Sequence, residues 1–314
     1  MYSLETELRE LRSAGALDEA AAAHEIALER RTLFSLYNEL RASLYAAVAL
    51  VITGVGILVK DHLDRIGPLT LIFVLALAGG ACYLPAIRAR VQGTTRSTVA
   101  EYLLLLGALL VSADLGYAES QFHWFGANWS RHLLILTMLH ALTAYSLDSR
   151  VVISVALTSL AGWFGIERGP GNLTPWNFGT PELGLRALVC AGVILAWRMF
   201  DRRTHAARFH EVFEHFAANL AFWGAIGWCS DPHLRAVGVL TLLVLACISV
   251  GIGLKSRREA FAVYGVGYTA FGLSLVITDV THLTLLGASL VLGVVLVAAA
   301  ILRYLHDLLK EPRP

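Results

Sequence analysis

Ten apolar stretches of roughly 16 to 21 residues occupy the chain between Ala42 and Leu302. A helix rises 1.5 Å per residue, so a stretch of about 20 residues crosses the roughly 30 Å hydrocarbon core of a bilayer. Continuous apolar stretches of this length satisfy their backbone hydrogen bonds in lipid as α-helices. The sequence therefore predicts an all-α, polytopic membrane protein with about ten transmembrane helices.

The transmembrane domain is predicted to cover residues 42–302, and residues 303–314 form a cytoplasmic tail. The ten predicted transmembrane spans lie at residues 42–59, 67–87, 98–117, 132–147, 151–166, 183–200, 212–230, 235–254, 259–278 and 283–302. The net charge of +1 excludes the basic field of a nucleic-acid binder. We therefore expect the protein to be embedded in a lipid bilayer and to bind no nucleic acid.

Residues 1–41 are polar and carry charges throughout. Leu4, Leu8 and Leu11 recur at helical spacing, Gly15 interrupts the pattern, and Asp18 can cap a second, alanine-rich helix. The pattern predicts a short cytoplasmic helical hairpin before the first span. Such a hairpin could dock a cytoplasmic protein partner or mediate self-association.

The distribution of Lys and Arg predicts the orientation. With the N-terminus inside, 19 of these residues fall in inner polar segments and five in outer ones. Cytoplasmic loops carry the excess of positive charge in membrane proteins. We therefore expect both termini in the cytoplasm and an even number of helices.

Charged groups inside apolar helices are functional candidates, because insertion at the helix centre costs about 2.5 to 3.5 kcal/mol. Asp114 and Arg186 lie about one turn from the outer ends of the third and sixth spans. At equal depth they can form a structural clamp, line the floor of a cavity open to the outside, or reach the interface independently.

Three further polar residues complete the candidate intramembrane site. His140 and Asn219 lie at mid-depth of the fourth and seventh spans, and Glu101 lies near the inner end of the third. A neutral His140 bonded to a hydroxyl or a carbonyl competes with a proton-relay role, and Glu101 can simply be hydrated.

The loop after the third span is a candidate outer binding surface for a sugar or a lipid head group, through Glu119, His123 and Trp124. Anchoring of aromatic side chains at the membrane interface explains the same residues without a ligand. Both interpretations remain open from the sequence.

Catalytic and metal motifs are not indicated. His210 and His215 are five residues apart, about 140° around a helix, which does not suit chelation of one ion; we expect Glu211 and Glu214 to form local pairs with these histidines. The four cysteines show no CxxC spacing. We expect no enzyme activity, no metal and no cofactor.

Two segments carry a resemblance to a known family: ELRELRSAGALDEAAAAHEIALERR at residues 7–31 and LLLLGALLVSADLGYAESQFHWFG at residues 103–126. They resemble a family of bacterial multipass inner-membrane proteins, known only as a domain of unknown function, with an N-terminal helical hairpin before the first span. Gln121 approximates a polar position of that family. The resemblance implies a bacterial inner-membrane location and supplies no catalytic residues.

Two functions are compatible with these features. The first is transport of a small solute or a lipid-derived molecule through a polar site near Asp114, Arg186 and His140. The alternative is a membrane scaffold or sensor that docks a partner through residues 1–41. An intramembrane enzyme ranks third, because no paired catalytic groups share one depth.

Overall fold

A computed structural model describes residues 36–62, 67–94, 97–128, 130–165, 181–204, 209–282 and 284–310. This part of the chain forms ten long helices and one short 3-10 turn, Gly126–Asn128, and contains no strand. The helices are α1 (Leu36–His62), α2 (Pro68–Val91), α3 (Thr98–Phe122), α4 (Arg131–Leu147), α5 (Arg150–Gly165), α6 (Pro181–Thr204), α7 (His210–Cys229), α8 (Arg235–Ser256), α9 (Glu259–Thr281) and α10 (Leu285–Lys310). The predicted all-α polytopic fold class is confirmed.

Each predicted span corresponds to one of these helices. Six of them, α2, α3, α6, α8, α9 and α10, are long and apolar enough to cross a bilayer, judged by length and composition alone. Helices α4 and α5 have only 17 and 16 residues, and α7 begins with the charged segment HEVFEH. Ten membrane crossings therefore stay a prediction. Residues 1–35 of the predicted hairpin lie outside the described residues, and residues 36–41 belong to α1.

Helices α6, α7, α8 and α9 each run antiparallel to the next one along the chain, which gives the bundle two distinct ends. At one end Arg150, the first residue of α5, contacts Glu211 in the first turn of α7. At the other end the indole N–H of Trp228, near the end of α7, donates to the carbonyl of Pro181 at the start of α6, at 3.0 Å. We call the first the arginine-rich end, because it carries Arg88, Arg90, Arg150, Arg198, Arg202, Arg257, Arg258 and Arg303.

Helix α7 is central to the second half of the bundle. It packs against α5, α6, α8 and α9, and it contributes to both apolar clusters of buried side chains. Its residues Phe213 and Phe222 are almost completely buried. A helix surrounded in this way can carry polar side chains that face protein rather than lipid, and α7 does so.

A close crossing of α6 and α7 fixes the opposite end. A Cβ atom added to Gly224 would lie 2.7 Å from the carbonyl oxygen of Gly184, and one added to Gly184 would lie 2.8 Å from that of Gly224. Small residues allow helix backbones to approach this closely within a membrane. The crossing places the Trp228 indole within reach of the Pro181 carbonyl.

Candidate functional site

Asp114 and Arg186 are not brought together. Asp114 lies seven residues after Gly107, and both therefore share the face of α3 that packs on α2. Arg186 lies on α6, which packs mainly against α7 and α5. No hydrogen bond or ion pair joins Asp114 to Arg186, and the buried Oδ1 atom of Asp114 has no hydrogen-bond partner in the described part of the chain.

His140 is completely buried and contacts a different face of α3. Its Nε2 atom lies 2.8 Å from the Ser112 hydroxyl, which also lies 2.8 Å from the carbonyl oxygen of Ala108. Ser112 has one hydroxyl hydrogen, so a bond to Ala108 requires that Nε2 of His140 donates to the hydroxyl oxygen. Ser112 and Asp114 are 200° apart around a regular helix. His140 and Asp114 therefore have separate surroundings.

Glu101 takes part in a connection between helices. The hydroxyl group of Ser149, in the turn between α4 and α5, donates to Glu101 Oε2 at 3.1 Å. Ser149 is itself completely buried. This contact joins the first turn of α3 to the turn between α4 and α5. Glu101 therefore bonds to another part of the protein, a role beyond the hydration that the sequence suggested.

The candidate outer loop is arranged around a buried carboxylate. Glu119 is buried, and its Oε1 atom accepts a hydrogen bond from the backbone N–H of Phe125 at 3.2 Å. His123 ends α3 in the left-handed conformation, and the exposed Trp124 stacks on Phe122 with ring centroids 5.5 Å apart. Glu119 therefore shapes this loop from within, while His123 and Trp124 lie at its surface.

Asn219, the fifth intramembrane candidate, belongs to a row of polar contacts between α7 and α9. Its Oδ1 atom accepts a hydrogen bond from the Tyr268 hydroxyl, and its Nδ2 group donates to the carbonyl of His215 at 2.7 Å. His215 Nδ1 lies 3.1 Å from the Tyr264 hydroxyl. Both cross-helix pairs are 49 residues apart, so α7 and α9 run parallel in a constant register. We call this interface the α7–α9 seam.

Aromatic rings continue the seam along both helices. His215 stacks on Phe261, and Phe222 stacks on Tyr268, each with ring centroids 5.0 Å apart. Trp223 lies 6.0 Å from both Tyr268 and Phe271 by centroid distance. Such separations are typical of favourable aromatic pairs. The seam thus consists of aromatic faces and hydrogen-bonding side chains.

An ionic network closes the seam at the arginine-rich end. Glu214 accepts hydrogen bonds from Arg198 on α6 and from Arg258 at the start of α9, the latter at 2.6 Å. Glu211 pairs with Arg150 at 3.2 Å and lies 3.8 Å from Arg258. The network therefore joins α5, α6 and α9 through two carboxylates of α7.

The expected local pairs of Glu211 and Glu214 with histidines do not describe this network. Both carboxylates pair with arginines of other helices, and His210 Nε2 lies 3.3 Å from Arg258. Guanidinium groups form charge-assisted bonds with carboxylates that are stronger than neutral hydrogen bonds. Contacts from other helices therefore override the spacing along α7.

A cleft lies at the opposite end of the same seam. It has a volume of about 470 Å³ and is lined by Cys229, Ser230, Leu275, Thr278, Asp279 and His282. Asp279 pairs with Arg235, the first residue of α8. One end of the seam is therefore closed by ion pairs, and the other opens into a cleft.

The sequence offers a signal for the seam. His215 and Asn219 are four residues apart on α7, and Tyr264 and Tyr268 are four residues apart on α9. Residues at this spacing lie on one helix face. Polar pairs of the same spacing on two apolar helices indicate that each pair faces another helix. The spacing alone does not identify that helix.

The fold defines a helical membrane protein. Residues 9–153 match the sequence profile of the family described as "Predicted membrane protein (DUF2157)". The predicted resemblance is thereby confirmed over this range, which ends within α5 and leaves the α7–α9 seam beyond it. No curated protein and no solved structure shows a significant match to the chain.

Proposed function

We propose that this protein transports a small solute across the membrane and that the α7–α9 seam is the polar path. The observation that carries the proposal is the row of hydrogen-bonded pairs, His215 with Tyr264 and Asn219 with Tyr268, leading from an ionic network to an open cleft. Polar groups inside a bilayer are expensive and mark solute pathways in many membrane proteins. The seam replaces the predicted site near Asp114, Arg186 and His140, whose members face separate neighbours.

The two ends of the seam differ, as is expected of a transport path that is closed on one side of the membrane and open on the other. At the arginine-rich end the Glu214 side chain is only 17% exposed and is held by two arginines. At the opposite end the cleft contains hydroxyl, carboxylate and imidazole side chains. A solute entering the cleft would meet the hydrogen-bonding side chains of the seam next and the ionic network last.

We further propose that the arginine-rich end faces the cytosol of a bacterial inner membrane, with both termini on that side. Among the described arginines outside the helix interiors, Arg131 and Arg235 lie at the opposite end. The excess of positive charge supports a cytoplasmic location. Reporter fusions at the two termini test this, and an extracytoplasmic signal from either terminus would contradict it.

Uptake by reconstituted vesicles tests the transport proposal. The full chain is reconstituted and given tetramethylammonium, glycine, succinate and glucose in turn, as one probe for each charge class. We expect at least one probe to enter faster than in protein-free vesicles, and Asn219→Leu to reduce this rate about tenfold. Thr143→Val is the matched control, because Thr143 bonds to its own helix at Leu139. Entry of no probe would overturn the proposal.

The alternative, a scaffold or sensor, depends on residues 1–41 as a docking surface. Residues 1–35 lie outside the described part of the chain, so no contact supports a partner there. The seam favours transport, because a helix that only anchors a scaffold has no need of paired polar groups at its centre. Capture of a partner protein by the full chain but not by a chain lacking residues 1–31, together with no uptake of any probe, would favour the alternative.

A further inference from the structure

A groove lies between α9 and α10 at the arginine-rich end of the bundle. Its volume is about 300 Å³, at the lower end of the range of about 300 to 1,000 Å³ that small-molecule pockets occupy. Glu259, the first residue of α9, lines it together with Arg303 and His306 near the end of α10. We call it the α9–α10 groove.

The α9–α10 groove lies where two candidate spans end. Both helices are long and apolar enough to cross a bilayer, over Glu259–Thr281 and Leu285–Leu309, and only 6% of the apolar stretch of α10 is buried inside the protein. Tyr304, beside Arg303, is 67% exposed, and tyrosine is enriched at the level of lipid head groups. In a bilayer the groove would therefore open at that level.

The polar side chains of the groove carry charges of both signs. His306 Nδ1 lies 2.9 Å from Glu259 Oε1, and an ionised carboxylate only accepts, so Nδ1 is the donor. Arg303 is three residues before His306, which places both on one face of α10. Arg303 is exposed and forms no ion pair within the described part of the chain, and the Glu259 side chain is 51% exposed. A ligand can therefore reach one guanidinium and one carboxylate in the same groove.

The rest of the lining is aliphatic: Leu302, Leu305 and Leu309 of α10 and Ala262 and Val263 of α9. Val263 lies four residues after Glu259 on α9, and Leu302 lies four residues before His306 on α10. Four residues correspond to about 6 Å along a helix. Because the two helices run antiparallel, both aliphatic side chains lie about one turn deeper than the Glu259–His306 pair. The groove is therefore charged at its mouth and aliphatic below it.

We infer that the α9–α10 groove binds a membrane phospholipid with a primary ammonium head group, a phosphatidylethanolamine. The Arg303 guanidinium contacts the phosphate, a charge-assisted pairing that allows two parallel hydrogen bonds. The Glu259 carboxylate, held by His306, accepts a hydrogen bond from the ammonium group. The upper part of an acyl chain lies against Val263 and Leu302.

Glu259 distinguishes this groove from a general site for anionic lipids. Basic pockets between membrane helices on the cytoplasmic side bind anionic head groups. A carboxylate beside the guanidinium disfavours a head group that carries only negative charge and favours one that carries both signs. This binding site is independent of the proposed transport, because it lies outside the α7–α9 seam.

Lipid retention by the purified full chain tests the inference. The protein is held in detergent with equal amounts of phosphatidylethanolamine and phosphatidylcholine that have the same acyl chains, and native mass spectrometry counts the lipids that stay bound. We expect phosphatidylethanolamine to be retained about 3- to 10-fold more, because the trimethylammonium group of phosphatidylcholine has no N–H to donate to Glu259. Equal retention of the two lipids would overturn the inference.

Two substitutions locate the site. Arg303→Gln and Glu259→Gln should each lower retention of phosphatidylethanolamine about 3- to 10-fold, the effect of one exposed charge-assisted contact. Arg90→Gln is the control for the first, because Arg90 is exposed in the last turn of α2. Asp307→Asn is the control for the second, because Asp307 is exposed beside His306 but does not line the groove. Equal losses in variants and controls would contradict the site.

The charge preference gives a further check on Glu259. Glu259→Gln should raise retention of phosphatidylglycerol, which has a phosphate and no ammonium group, while Arg303→Gln should lower it. A Glu259→Gln variant that retains less of both lipids would contradict the assigned role of the carboxylate.

Other occupants of the groove give different outcomes. O-phosphoethanolamine, the head group without acyl chains, should not displace the bound lipid at millimolar concentration, and displacement would contradict a site that uses the aliphatic lining. Dimers without bound lipid in the same mass spectra would show that a second copy of the chain covers the groove, and would overturn the inference.

Discussion

Tyr268 donates its hydroxyl hydrogen to the Oδ1 atom of Asn219, and this bond links two parallel helices that both pack on α8. The amide orientation is fixed from the other side, because Asn219 Nδ2 donates to the His215 carbonyl. The bond lies about nine residues from the start of α7, which corresponds to about 13 Å along the helix axis. Its other partner, Tyr268, lies near the middle of α9, a helix that is long and apolar enough to cross a bilayer.

The first prediction concerns the strength of this bond. A double-mutant cycle with Asn219→Leu and Tyr268→Phe should show a coupling energy of about 0.6 kcal/mol, and no more than about 1.7, as for other hydrogen bonds between membrane helices. The measurement is the free energy of unfolding in detergent. Asn219→Leu and Thr143→Val, which are not in contact, should add within about 0.5 kcal/mol. Additivity in both cycles would contradict the bond.

The second prediction compares the two carboxylates of the ionic network. Glu214→Gln should destabilise the protein more than Glu211→Gln, because the Glu214 side chain is 17% exposed and the Glu211 side chain is 44% exposed. Removing one partner of a buried pair costs about 3 to 5 kcal/mol, whereas exposed pairs contribute about 0 to 1. Thermal unfolding of both variants checks the order, and equal losses would contradict the greater burial of the Glu214 ion pairs.

The third prediction concerns the crossing of α6 and α7. Gly224→Ala should destabilise the protein by about 1 to 3 kcal/mol, because the new methyl group would meet the backbone oxygen of Gly184, which cannot rotate away. Gly192→Ala on α6 is the control, since nothing lies within 4 Å of its added Cβ. Thermal unfolding in detergent should leave the control unchanged or slightly stabilised. A stable Gly224→Ala variant would contradict the close crossing.

The fold was predictable from the sequence because apolar length reports directly on membrane helices. The predicted span at residues 235–254 corresponds to Arg235–Ser256, and the span at residues 259–278 corresponds to Glu259–Thr281. The largest extension is at α10, which continues to Lys310, beyond the predicted end at residue 302. Helical hydrogen bonds continue there through the polar residues that follow the apolar stretch.

The site was less predictable, because depth along a helix does not determine direction around it. Asp114 and Arg186 share a predicted depth, yet Asp114 lies on the α2 face of α3 and α6 packs elsewhere. Asn219 was predicted as a polar candidate, but its partner Tyr268 depends on the contact of α7 with α9. Which helices pack together is set by three-dimensional contacts such as the Gly184–Gly224 crossing, and a single sequence does not state those pairings.

The fourth prediction separates the seam from the site suggested by the sequence. Asp114→Asn should leave uptake of any transported probe within about twofold of the unmodified chain, because Asp114 faces α2 rather than the seam. Tyr268→Phe should reduce the same uptake, since it removes the hydroxyl that bonds Asn219. The measurement is initial uptake by reconstituted vesicles with equal protein content. A larger loss in Asp114→Asn than in Tyr268→Phe would place the path near α3 instead.

The fifth prediction concerns the polar N-terminal segment. A chain lacking residues 1–31 should retain uptake, because every contact of the seam, its ionic network and its cleft lies between Arg150 and His282. The first described helix begins at Leu36, so the deletion leaves α1 intact. The comparison uses vesicles with equal amounts of inserted protein and a pull-down from the same membranes. Lost uptake with normal insertion would show that the segment participates in transport, and retained uptake with a lost partner would assign it a separate docking role.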